Sequence, residues 1–399
     1  MPATQLRASD IQAAVDEILT ATPFVDIHTH LFPPSFGRLA LWGIDELLTY
    51  HYLEAELFRF SDVRPAQYWA LATSQRADLV WKTLFVENSP VSEATRGVIA
   101  VLSALGLDPA ARSLEGIRRF FISQDVTAHI RRVFQLAGVS EVVMTNDPLD
   151  PEEAPLWESG ALPGEGFRPA LRIDRVLNEG TRTASDARRL LETWSNRIKP
   201  VYMAVSLPDS FTFPDASART VLLREAVLPV CRELGIPLSL MIGVRRQVNP
   251  DLRSAGDGSG RADLRALEVL CGEFPANRFL VSVLSRENQH ELCVYARKFS
   301  NLLPFGCWWF LNNPSIVEEI TRERIELIGT SFIAQHSDAR VLEQVIYKWR
   351  NTRATMAPIL ANAYNLLARD GRAVTRAEIQ RDVKRLFCSN FAHWTNKAA

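Results

Sequence analysis

The sequence predicts an α/β fold, a (β/α)8 barrel of the TIM type with a helical insertion after its first strand. Three observations carry that prediction. Short, mostly apolar runs alternate with helical stretches; eight such runs can be counted; and the first two are separated by a long segment whose apolar residues recur at helical spacing. Strands that are apolar on both faces and joined by helices indicate a parallel sheet covered on both sides, and eight of them fit a closed barrel. One barrel with insertions accounts for a chain of 399 residues, so 1–399 reads as a single domain.

From Ser9, a natural N-cap, Ile11, Val15, Ile18 and Leu19 mark one apolar helical face that ends before Thr22-Pro23. The first strand, Phe24-Val25-Asp26-Ile27, closes on His28-Thr29-His30 and stops at Leu31-Phe32-Pro33-Pro34. Residues 32–125 read as helices over the barrel mouth, with apolar faces such as Ile44, Leu47 and Leu48, or Val98, Val101, Leu102 and Leu105. The further strands are Glu141–Met144, Pro169–Arg172, Val201–Val205, Pro237–Ile242, Phe279–Leu284, Leu303–Gly306 and, as the eighth, Ile325–Ile328. The glycine-rich stretch Ser254–Gly260 reads as a loop rather than a phosphate cradle, because no Lys-Ser/Thr follows it.

The composition is that of a soluble globular protein, 47% hydrophobic and 23% charged, with a net charge of −1 that gives no electrostatic reason to expect nucleic acid or an anionic membrane as partner. Five widely spaced cysteines without Cys-x-x-Cys spacing read as ordinary buried thiols. The first twenty residues lack an apolar signal core, and no run approaches the ~20 apolar residues that cross a bilayer. The expected compartment is the cytoplasm, and exposed insertions would allow a homo-oligomer.

In a strand, residues i and i+2 share a face, so His28 and His30 can grip one divalent ion at the C-terminal end of the first strand, where barrels place catalytic groups. The other strand ends bring Thr145, Asn146 and Asp147; Arg172, Asp174 and Arg175; Arg245 and Arg246; Arg286 and Glu287; and Trp308, Trp309 and Asn312. Guanidinium groups suit bidentate recognition of a carboxylate, so the mouth suits a small organic acid, with indole faces for a sugar or an apolar part.

These residues resemble the uronate isomerase (glucuronate isomerase) family of the amidohydrolase superfamily. The resemblance rests on Phe24–Leu31 with its His-x-His, on His51-Tyr52 followed by Arg59, and on Thr145–Pro148. It continues through Arg172–Arg175 with Asn178, Ile242–Arg245, and Gly306–Phe310 with Asn312, running from about residue 5 to 392. It implies interconversion of an aldose uronate and a ketose uronate, glucuronate with fructuronate or galacturonate with tagaturonate, assisted by one divalent metal, commonly zinc. By that resemblance His28 and His30 are metal ligands, Tyr52 assists proton transfer beside His51, and Arg172 suits the substrate carboxylate. Arg59, Arg245, Trp308, Trp309 and Asn312 complete the substrate site, with Trp309 closing the pocket.

The family's eighth strand ends Thr-Asp-Ser-Arg-Ser-Phe, supplying an aspartate to the metal and an arginine to the substrate. Anchored on Ser331-Phe332, this chain places Ile328 and Thr330 there, or Gly329 and Ser331 after a shift of one. Met241 stands where the family has a histidine, and Ala204–Leu207 lacks its Asp-His pair. A third metal ligand must then come from elsewhere. His336 and Asp338 lie a few residues past the eighth strand and reach the mouth only if that loop is remodelled, and Ser337 or Asp338 reads better as the N-cap of a helix carrying Val341, Leu342 and Val345; Asp147 and Glu287 read as structural. The sequence thus leaves three readings: a divergent uronate isomerase, another metal-dependent enzyme of the superfamily acting on a small carboxylate, or a non-catalytic sugar-acid binder.

Overall fold

The computed structural model describes residues 5–396. In chain order its strands are β1 (Phe24–Thr29), β2 (Val139–Asn146), β3 (Phe167–Arg172), β4 (Met203–Pro208), β5 (Leu238–Arg245), β6 (Gly258–Ser259), β7 (Phe279–Val283) and β8 (Leu302–Pro304). Each pairs in parallel with the next along the sheet, except that β6 is a two-residue antiparallel addition to the end of β5, which pairs directly with β7.

Seven parallel strands leave one place in the ring, and residues 332–334 fill it. Ile333 bridges Phe305 in parallel, donating its N–H to Pro304 O at 3.0 Å and accepting from Gly306 N at 3.0 Å. Beyond it the chain reaches β1, where Asp338 N donates to His28 O at 3.2 Å and His30 N to Ala339 O at 2.7 Å. The barrel closes there.

The eighth strand predicted at Ile325–Ile328 is therefore misplaced: those residues are the last turn of the helix Pro314–Ile328. The helix buries Val317, Ile320, Thr321 and Arg324, a spacing of three and four residues that sets its inner face. Ile325-Glu326-Leu327-Ile328 also satisfies the period of a short strand, whereas the true strand has only Phe332, Ile333 and Ala334 and carries almost no periodic signal.

Between β1 and β2 the chain winds through helices that include Ile44–Leu48, His51–Phe60, Pro65–Trp69, Thr73–Trp81, Glu93–Leu105 and Glu115–Ile122, before Val126–Ala137 returns it to the barrel. His51–Phe60 brings His51 to the mouth. A 26-residue helix, Gln344–Arg369, packs against the opening helix Ala8–Ala21 and carries Trp349, whose Nε1 donates to Asp26 Oδ2 at 2.8 Å. No helix among the described residues is long and apolar enough to cross a membrane.

Alternation along the strands builds two apolar layers. Ile27, Val143, Ala170, Ala204, Met241, Leu280, Leu303 and Ile333 fill the barrel, while Phe24, Val142, Leu171, Val205, Leu240 and Val281 face the surrounding helices. Each such side chain, removed from water, contributes about 1.5–3 kcal/mol against the entropy of ordering the chain. Met241 is one of these packing residues.

Gly306, after β8, has φ +55°, and a Cβ there would run into the ring of His336. Gly306→Ala is expected to cost roughly 2–4 kcal/mol, the left-handed backbone and the overpacked imidazole adding together. Urea unfolding reads this as a lowered midpoint, and an unshifted midpoint contradicts the close approach of the two residues.

Candidate active site

The site begins with an irregularity in β1. Asp26 pairs with Val142 and Thr29 with Met144, so three steps on β1 span two on β2, a bulge that re-aims the strand's end. Ile27 and His28 lie within it, Ile27 facing the barrel interior and His28, like His30 beyond it, facing the mouth. Asp26 turns outward, fully buried, accepting from Trp349 and from Ser337 N at 3.0 Å. Burial pushes the Asp26 carboxyl up to about 6.

Asp338 completes the cluster. Its Oδ1 lies 3.4 Å from His30 Nε2 and 3.8 Å from His28 Nε2, and the three donor atoms lie within 4.8 Å of one another. Four donors around zinc, each at about 2.0–2.2 Å, stand about 3.3–3.6 Å apart, so the cluster is close to ligating dimensions. Asp338 Oδ1 is buried with no hydrogen-bond partner. Burial, reinforced by nearby guanidinium groups, pushes His28 down to about 3 and His30 well below the ordinary imidazole range, so both rings are neutral and can offer a lone pair. The residues fit a divalent cation.

Asp338 is not a helix cap, contrary to the reading the sequence favoured. The next helix starts at Gln344, and the segment before it runs as a loop beside β1. Asp338 itself has φ +55°, held by its own N–H to His28 O, by Ser337 N to Asp26, and by Asn312 Nδ2, which donates to the carbonyls of His336 and Ser337 at 3.3 Å each. Asn312, expected at the substrate, thus serves as the clip that holds this loop.

Around the cluster stand His51, Arg172, Ser206, Arg246, Trp308, Trp309 and Arg340. This centre opens on two cavities of about 360 and 490 Å³ that share Arg172, Asp174 and Arg175. Trp309 Nε1 donates to His51 Nε2 at 3.1 Å, which fixes the imidazole against the indole. Arg172 is already engaged: its fork meets Asp174 at 3.0 and 3.1 Å, and that charge raises its pKa further. Arg340 lines the larger cavity and has no ion pair among the described residues.

Of the predicted site residues, His28, His30, His51, Arg172, Trp308 and Trp309 converge. Tyr52 stands behind His51, packed on Tyr50 and Phe310, outside that lining. Arg59 is exposed in the last turn of its helix and lines neither mouth cavity. Arg245 is 58% exposed and leans toward Asp209 at 3.7 Å; its neighbour Arg246, also half exposed and paired with Asp257 at 2.5 Å, lies at the edge of the site over the face of Trp309. Asp147 pairs with Arg175 and Glu287 bonds Ser285, as structural carboxylates do.

No family profile matches the sequence, and no curated protein does. Among solved structures, a uronate isomerase from Bacillus halodurans C-125 is 47% identical, with 99% of this chain and 98% of that one covered and a TM-score of 0.96. The chain belongs to the uronate isomerase family. A uronate isomerase from Thermotoga maritima (15% identical, 99% and 98% covered, TM-score 0.75) and a glucuronate isomerase from Caulobacter crescentus (16%, 99% and 94%, 0.73) share the fold. With the closing strand at residues 332–334, the segment that follows it to the mouth is Ser337-Asp338-Ala339-Arg340, which brings a carboxylate and a guanidinium there. Residues 328–331, where the resemblance called for an aspartate and an arginine, precede that strand rather than follow it.

Proposed function

We propose that this enzyme interconverts an aldose hexuronate and its ketose isomer, glucuronate with fructuronate or galacturonate with tagaturonate, using one divalent metal at His28, His30 and Asp338. The observation that carries the reading is the convergence of those three donors at 3.4 and 3.8 Å beneath an arginine-lined mouth, in a chain of the uronate isomerase family. Zinc suits two neutral imidazoles and a carboxylate with a fourth position open to substrate.

When bound, the ion supplies Lewis acidity that polarises the sugar's carbonyl and the adjacent hydroxyl. The chain supplies the rest. Arg340, free of a competing carboxylate, holds the substrate carboxylate, and Arg172 and Arg246 share their charge between Asp174 or Asp257 and the ligand. His51, neutral because burial holds its pKa well below the ordinary range, accepts from Trp309 at Nε2, so its ring proton sits on Nδ1 and the residue serves the site as a fixed hydrogen-bond donor. Trp308 and Trp309 exclude water from the reacting carbons. Tyr52, a phenol kept protonated by burial, supports His51 from behind.

Purified protein is expected to hold about one equivalent of divalent metal and to convert glucuronate or galacturonate to a ketose, with activity lost on chelation and restored by zinc or manganese. Bound metal without that conversion on either sugar points instead to another chemistry on the same scaffold.

A further inference from the structure

We propose that Tyr202 and Thr145 are positioning residues, two hydroxyl clamps that decide which ring nitrogen His28 and His30 present at the centre of the site. This rests on the metal reading above for its purpose, though not for its geometry.

Tyr202, immediately before β4, is 1% exposed, and its hydroxyl oxygen lies 2.7 Å from Ile27 O and 3.1 Å from His28 Nδ1. Thr145, on β2, is 4% exposed, with Oγ1 3.1 Å from Thr29 O and 2.9 Å from His30 Nδ1. The two arrangements are equivalent. Each hydroxyl has one proton and two neighbours, of which a backbone carbonyl can only accept. If the proton went to the imidazole, two oxygens would face each other at 2.7 or 3.1 Å with lone pairs opposed. The proton therefore goes to the β1 carbonyl, and the hydroxyl accepts from the ring, which requires the Nδ1–H tautomer in both histidines. Nε2 then carries the lone pair, and in both rings Nε2 is the atom that faces Asp338 Oδ1.

Both clamps take their carbonyl from β1, at Ile27 and at Thr29, so the same strand that carries the histidines also orients the groups that fix them. The rings stand at 87° to each other, and their nitrogens approach the centre from two directions. Fixing tautomer and rotamer in advance removes an ordering cost from metal binding, and partners of this kind commonly change affinity by 10–100-fold.

The test uses the metal-free full-length protein with ¹⁵N-labelled histidine, recording long-range ¹H–¹⁵N correlations, together with zinc affinity by chelator competition. In the wild type both rings are expected as Nδ1–H before any metal is added. Tyr202→Phe is expected to release His28 into a mixture of tautomers and Thr145→Val to do so for His30, each weakening zinc binding by about 10–100-fold. Thr145→Ser, which keeps the hydroxyl, restores both readouts. Wild-type rings found as Nε2–H, or Phe and Val variants with unchanged tautomers and unchanged zinc affinity, overturn the proposal. Wild-type protein with both rings Nδ1–H but no affinity for zinc would uphold the clamps and sink the metal reading instead.

Discussion

Asp338→Asn is expected to cut turnover on the order of 10³-fold and to leave the purified protein largely free of metal, while the fold persists. The substitution removes the one anionic donor of the cluster. It leaves intact what holds the loop, because Asp338 N to His28 O, Ser337 N to Asp26 and Asn312 to the carbonyls of His336 and Ser337 make no use of the carboxylate. Asparagine also tolerates the positive φ at this position, where most side chains would add strain. Metal analysis and steady-state kinetics on the same preparation check this. A variant that keeps a full equivalent of tightly bound metal contradicts the ligand assignment.

Arg340→Met is expected to raise KM for the uronate by about 10–100-fold with a smaller loss in kcat, the effect of losing one charge-assisted contact of roughly 1.5–3 kcal/mol. Arg340 lines the cavity beside His30 without a carboxylate of its own, and its charge is felt at both histidine rings. By contrast, Arg59→Met and Arg245→Met are expected to leave KM within about twofold, since exposed guanidinium groups away from the cavity contribute little. Equal effects at Arg245 and Arg340 would show that the wrong strand ends have been assigned to the substrate.

The contrast between those arginines shows what the sequence could and could not disclose. His28 and His30 were legible because an i, i+2 pair at a strand end keeps its meaning whatever the exact register, and the bulge that re-aims them does not change their spacing. Arg245 ends β5 and Arg246 stands in the turn beyond it, where strand alternation no longer tells which guanidinium reaches the site. The eighth strand was lost because three residues give no periodicity, while the helix before it ends in a run that imitates a strand. That one misplacement made Asp338 read as a helix cap rather than a ligand and hid Arg340 altogether. The pairing of Tyr202 and Thr145 with the two imidazoles leaves no local signal, since these partners are brought together only when the barrel closes.

The central claim is a single divalent ion held at the lip of the barrel by two imidazoles and one carboxylate. Diffraction from crystals of the zinc-loaded protein, collected on both sides of the zinc absorption edge, tests it directly. The expected result is one anomalous peak about 2.0–2.2 Å from Nε2 of His28, Nε2 of His30 and a carboxylate oxygen of Asp338. A peak bonded through Nδ1 of either ring, or centred on His336 away from Asp338, would contradict it.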